Sequence, residues 1–204
     1  MRKISIIISS LLLMLITFTK VNSDEKFSSW IIEFKKKAIN EGISEKTVDA
    51  VMNNAIFLPK VIEYDRYQPE FYEDTKTYVS KRTSKDKVKK GKRIYKKNKN
   101  LINTVDKEFK VEKELLLALM GIETNYGTYL GKMDIISSLA TLSYDKRRSE
   151  FFSNELITIL KLIDQNKVDK DILFGSWAGA FGNFQFMPTT ISVSYTHLTL
   201  PTNA

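Results

Sequence analysis

Apolar residues recur every three or four positions over most of the chain, the spacing of amphipathic helices, while the alternation of a half-buried strand is almost absent. Phe27, Trp30, Ile31, Phe34 and Ala38 mark a first helix, with Lys35, Lys36 and Lys37 between them and Gly42 placed to end it. Ser44 stands where an N-cap opens a short second helix carrying Val48, Val51 and Met52. Pro59 begins an irregular stretch with Tyr64, Tyr67, Pro69, Phe71 and Tyr72. Aromatics on such a loop either line a binding groove or pin the loop to the core. Residues 106–123 make the strongest helix. There Leu115, Leu116, Leu119 and Ile122 share a face, and Ala118 and Met120 make it apolar nearly all round, which predicts burial. Another helix over about 148–165 turns Phe151, Phe152, Leu156, Ile159, Leu160 and Ile163 inward. The run Gly175 to Gly182 is small and flexible, and its glycines permit close backbone approach.

Composition refines this picture without redirecting it. A chain of 204 residues, 43% hydrophobic, has the apolar material for one domain, or one domain plus a small appendage. The formal charge of +8 favours polyanionic partners but does not choose among nucleic acid, anionic lipid and an envelope polymer. The N-terminus narrows the choice. Met1-Arg2-Lys3 precedes an apolar run from Ile4 to Phe18, and then Val21-Asn22-Ser23, which reads as a secretory signal peptide over residues 1–23. That run is shorter than the roughly 20 residues a spanning helix needs; the competing reading is an uncleaved anchor. The chain has no cysteine, so neither a lipidated Cys nor a disulfide is available. Export demotes nucleic acid as the partner. Residues 81–100 are crowded with Lys and Arg against one acid, Asp86, but interleave only one aromatic, Tyr95. The run therefore reads as the solvated face of a helix, with attraction for anionic wall polymer as its remaining use.

Glu123 is the odd residue, following a nearly all-apolar run where the helix should end, with Asn125 and Gly127 to stop it. A carboxylic acid at the mouth of a buried helix is partly desolvated, which favours the protonated form that a general acid needs. The plainer alternative is an exposed Glu or a turn contact. A glycosidase normally uses two carboxyl groups. The nearest others, Asp134 and Asp145, have no catalytic surroundings, and Asp145 is expected to pair with Arg147 or Arg148. No metal-ligand constellation appears, since Cys is absent and His197 has no second His. Ser176 as a nucleophile would have only His197 to serve as base.

Several blocks of the chain stand out together. They are Val61-Ile-Glu-Tyr-Asp-Arg-Tyr-Gln-Pro-Glu-Phe71, Gly121-Ile-Glu-Thr-Asn-Tyr-Gly127 and Ser138-Leu-Ala-Thr-Leu-Ser-Tyr-Asp145 with Arg147-Arg148. Gly175-Ser-Trp-Ala-Gly-Ala-Phe-Gly182 with Gln185-Phe-Met-Pro188 completes the set. In order and spacing the blocks resemble the membrane-bound lytic murein transglycosylase B family. The resemblance implies a mainly α, lysozyme-like fold (of the α+β lysozyme superfamily) and cleavage between N-acetylmuramic acid and N-acetylglucosamine of peptidoglycan. It implies one catalytic Glu, at Glu123, acting as acid and then base and leaving a 1,6-anhydro ring; the residues themselves lead to the expectation of no cofactor and no metal. It further implies that Tyr78, Arg147, Arg148, Ser176 and Gln185 line the glycan cleft. A non-catalytic peptidoglycan-binding module and a true muramidase are the rival readings. The expected organisation is a signal peptide (1–23), a transglycosylase domain incomplete at its C-terminus (24–190), and a tail (191–204). The tail matches nothing in the family and is expected to be artefactual and to pack poorly. The expected product is a periplasmic or released monomer with no stable membrane insertion and no nucleic-acid partner.

Overall fold

A computed structural model describes residues 25–67 and 73–199. The proposed signal peptide, Pro69, Phe71, Tyr72 and the last five residues lie outside the described residues. The described chain is mainly helical: α1 (25–40), α2 (Glu45–Met52), α3 (Pro59–Arg66), α4 (Thr75–Arg82), α5 (Lys85–Lys97), α6 (Lys99–Phe109) and α7 (Lys113–Thr124) come first. Then come β1 (Met133–Asp134), α8 (Ile135–Tyr144), α9 (Ser149–Asp164), a 3-10 turn (Lys170–Ile172), β2 (Phe174–Gly175) and α10 (Pro188–Thr199). The strands pair antiparallel, Met133 with Gly175 and Asp134 with Phe174.

The predicted first helices form as their local signals direct. Ser44 caps α2 by accepting from the Thr47 N–H at 3.3 Å, and Val48, Val51 and Met52 are buried. Phe27, Trp30 and Phe34 of α1 meet Phe57 and Tyr144 in a ring cluster, with Phe27 lying 5.3 Å from Phe57 and 5.6 Å from Tyr144. Pro59 does not open an irregular stretch. It occupies the first turn of α3, where its missing N–H would be unpaired in any case.

The most enclosed helix is α8, whose residues 135–143 are all buried. It lies against α9 and α3, and its small hydroxyl residues serve the core. Ser137 Oγ accepts from the Ile56 N–H at 3.1 Å and Thr141 Oγ1 from the Leu58 N–H at 3.0 Å. Two N–H groups of a loop outside any ladder are thereby satisfied. Phe152, Leu156, Ile159 and Leu160 of α9 complete this core as expected, but Phe151 is exposed and stacks on the Arg148 guanidinium at 4.8 Å.

The predicted 106–123 helix is two helices, broken where Lys110 adopts a left-handed φ of 52°. Its apolar second half, α7, is not buried either. Leu115, Leu119 and Ile122 are 53%, 40% and 41% exposed, because α7 packs chiefly on α5 and α6, on one side only. At the other end of the chain, Thr189 at the start of α10 is held by the buried Glu155 carboxylate of α9. Its N–H donates at 2.9 Å and its hydroxyl at 2.7 Å. Of the tail expected over residues 191–204, Ile191 packs against the core, Val193 is exposed and α10 continues to Thr199.

Candidate active site

Glu123 occupies the penultimate position of α7 and is exposed. The desolvation expected from a buried helix is therefore not found. Its carboxyl group has no hydrogen-bond or ion-pair partner among the described residues. The backbone beyond it, in contrast, is tightly specified. Asn125, Tyr126 and Gly127 all take left-handed φ values of 49°, 59° and 75°. Such successive conformations persist only where surrounding contacts over-determine them. Here the Tyr126 N–H returns to the Met120 carbonyl at 3.0 Å, the pattern that closes a helix C-terminus. Thr124 is fully buried, donates to the Asn183 carbonyl at 2.8 Å and accepts from the Gly127 N–H at 3.0 Å.

Those bonds join the Glu123 turn to the loop that carries Gln185. Gln185 has φ 49°, and its Nε2 donates to the Leu130 carbonyl at 3.2 Å and the Gly182 carbonyl at 3.0 Å. Ser176 stands just past β2, where its Oγ accepts from the Ala180 N–H at 3.0 Å. The bridges from Gly175 to Phe181 and from Phe181 to Phe186 tie that turn to the Gln185 loop. Glu123, Gln185 and Ser176 thus sit on one connected set of turns.

Arg147 and Arg148 are gathered elsewhere, between α8 and α9, by Asp65 of α3. Arg147 Nε donates to Asp65 Oδ2 at 2.7 Å and Arg148 Nη1 lies 3.4 Å from Oδ1. The hydrogen bond to Asp65 is the leading reason the Arg147 pKa rises above its ordinary value. The expected pairing of Asp145 with these arginines does not form as a salt bridge. Asp145 pairs with Arg66 at 2.9 Å, because the buried carboxylate of Asp65 takes both guanidinium groups instead. Asp134 is the N-cap of α8, accepting from the Ser137 N–H at 2.6 Å. Tyr78, on α4, is half exposed with the Arg82 guanidinium 3.8 Å over its ring, and Glu73 holds that arginine at 2.7 Å. No hydrogen bond or ion pair connects Tyr78 to Glu123, Ser176 or Gln185 among the described residues.

A cavity of about 530 Å³ between the start of α2 and the end of α9 is lined by none of these candidate residues. Among the described residues no group of three or more His, Cys, Asp or Glu is placed to hold a metal ion, and no helix is long and apolar enough to cross a membrane.

Residues 26–195 match the transglycosylase SLT domain family. The chain belongs to that family. Over 114 residues it is 36% identical to membrane-bound lytic murein transglycosylase B of Escherichia coli strain K12, a match covering 55% of this chain and 32% of that protein. SltB3 of Pseudomonas aeruginosa, solved with a NAG-NAM-pentapeptide, is 34% identical with a TM-score of 0.78, covering 82% of this chain and 45% of that one. The E. coli lytic transglycosylase SLT35, in complex with bulgecin A, is 30% identical with a TM-score of 0.69, covering 84% and 54%. The fold is accordingly mainly α and lysozyme-like. The chain spans about a third of the length of the curated relative and about half that of the solved ones.

Sequence reasoning missed Thr124 and Tyr126 as organisers of the Glu123 turn, and Asp65 as the residue that holds the two arginines. It also read Lys87 and Lys90 as solvated, although both are half-buried. Their spacing, three apart and on the α5 face that carries Gly91, was the available signal.

Proposed function

We propose that the chain carries the acid-bearing part of a peptidoglycan lytic transglycosylase, with Glu123 as its single acid and base. The observation that carries this reading is an exposed carboxyl group, without a partner among the described residues, just before a turn held in three consecutive left-handed conformations, in a member of this family. Glu123 delivers its proton to the glycosidic oxygen as the bond to C1 of N-acetylmuramic acid breaks. Its carboxylate then takes the C6 hydroxyl proton while O6 closes on C1, so the product is a 1,6-anhydro ring and the carboxyl group ends as it began. The neighbouring N-acetyl group stabilises the developing cation. Gln185 and Ser176 border the same set of turns, Tyr78 offers an aromatic surface, and Arg147 and Arg148 present paired N–H donors to peptide or lactyl carboxylates. The substrate is the glycan strand of peptidoglycan, met as a monomer in the periplasm or outside the cell after removal of residues 1–23. No cofactor takes part.

Digestion of purified sacculi followed by mass spectrometry tests this. Anhydromuropeptides that disappear in Glu123→Gln are expected, whereas reducing ends would show hydrolysis and overturn it. The exposed apolar side of α7 favours a second reading, binding of glycan without turnover. Sedimentation with sacculi and no released products would establish that one.

A further inference from the structure

Two lysines of the basic run meet the backbone on both sides of Glu123. Lys87 Nζ donates to the Gly121 carbonyl at 2.9 Å, two residues before it. Lys90 Nζ donates to the Asn125 carbonyl at 2.7 Å, two residues after it, and to Thr128 Oγ1 at 2.5 Å. Lys85, Lys89, Lys92, Lys96 and Lys97 of the same helix are exposed, so these two are set apart by burial as well as by their partners. The chemistry suits the place. Carbonyls of a last helical turn lack intrahelical donors and concentrate partial negative charge, which ammonium groups satisfy and offset.

Tyr126 completes the arrangement. Its hydroxyl donates to the Lys87 carbonyl at 3.1 Å, and the Lys90 ammonium lies 5.8 Å from its ring centroid. The ring lies between Gly91 of α5 and Gly121 of α7; a Cβ at Gly121 would stand 2.8 Å from its Cζ, and one at Gly91 would be closer still to its hydroxyl. Helix α5 therefore approaches the end of α7 through a tyrosine wedge flanked by two lysine contacts.

We propose that Lys87 and Lys90 are positioning residues for Glu123, fixing the backbone before and after it so that one carboxyl group meets first the glycosidic oxygen and then the C6 hydroxyl. This rests on the reading of Glu123 as the acid. The test uses the full chain carrying Lys87→Met, Lys90→Met or both, with Lys89→Met as control and Lys→Arg at 87 and 90 as rescue. Amide hydrogen exchange over residues 121–128 should quicken about fivefold or more in the double variant, while α8 and α9 keep their protection. On sacculi, kcat should fall about 10- to 100-fold with KM little changed. Arginine should restore part of both, and Lys89→Met should match the unaltered chain. Unchanged exchange at 121–128, or faster exchange spread equally over α8 and α9, would overturn the proposal. If the unaltered chain releases no anhydro products, the acid assignment fails on its own, and the exchange measurement still decides whether these lysines hold the turn.

Discussion

Asp65, 2% exposed at the end of α3, takes the Nε–H of Arg147 on its carboxylate at 2.7 Å and the Nη2–H on its own main-chain carbonyl at 2.6 Å. One residue thus fixes the plane of a guanidinium from two directions, while the Arg147 side chain stays 45% exposed. A planar fork held this way suits a bidentate carboxylate better than a free surface arginine. Asp65→Asn should lower Tm, since a buried acceptor for two cations is lost. It should also weaken binding of peptide-bearing glycan by about tenfold while sparing peptide-free glycan, as read by calorimetry with the two ligands.

Glu155 holds the start of α10 on α9 through both the N–H and the hydroxyl of Thr189. Glu155→Ala removes two bonds to a charged acceptor and leaves a half-buried N–H unpaired. A loss of about 1.5–3 kcal/mol in urea unfolding is expected.

The tyrosine wedge makes Gly121 and Tyr126 interdependent. Gly121→Ala should cost about 1–3 kcal/mol by overpacking, because Gly91 on the other side stops the ring from retreating. With Tyr126→Ala in place the same Gly121→Ala change should cost far less. A double-mutant cycle measures the coupling, and simple additivity would contradict the wedge.

Exposure of α7 and enclosure of α9 predict opposite responses to similar losses. Leu119→Ser should change stability by no more than about 0.5 kcal/mol. Leu160→Ala, at a fully buried position, should cost about 2–5 kcal/mol. Denaturant midpoints for the two variants check this.

Asp164, at the end of α9, accepts from the Ser44 hydroxyl and from the Ser44 N–H, the latter at 3.4 Å, tying α9 to the α2 cap. These bonds, the Ser44 side chain foremost, hold its pKa below the ordinary carboxylate value. A group whose folded pKa is depressed stabilises the protein above its unfolded value, about 3.9 for Asp, and that contribution fades as pH falls through the lower folded value. Asp164→Asn should therefore lower Tm near neutrality and flatten the acid-induced loss of Tm below about pH 4. Thermal melts between neutrality and strong acid would show it.

Much of the fold was legible locally. Helix spacing in α1 and α9, the Ser44 cap and the motif blocks that carry the family resemblance are properties of short segments, where periodicity and capping are written residue by residue. The position of Glu123 at a helix end was legible for the same reason. Its surroundings were not. Apolar content suggested that α7 was the buried helix, but burial depends on what packs against a helix, and that place belongs to α8 with its serines and threonines. Pro59 reads equally as a loop or a first helical turn until the next residues are seen to coil. Arg147 and Asp65 lie 82 residues apart, and Lys87 and Gly121 lie 34 apart, so no local pattern announces either pairing. By itself the sequence determined a helical chain with one carboxyl group at a telling helix end. Only the tertiary structure decided which charged side chains hold that turn and its arginines, because those partners meet through packing across the whole chain.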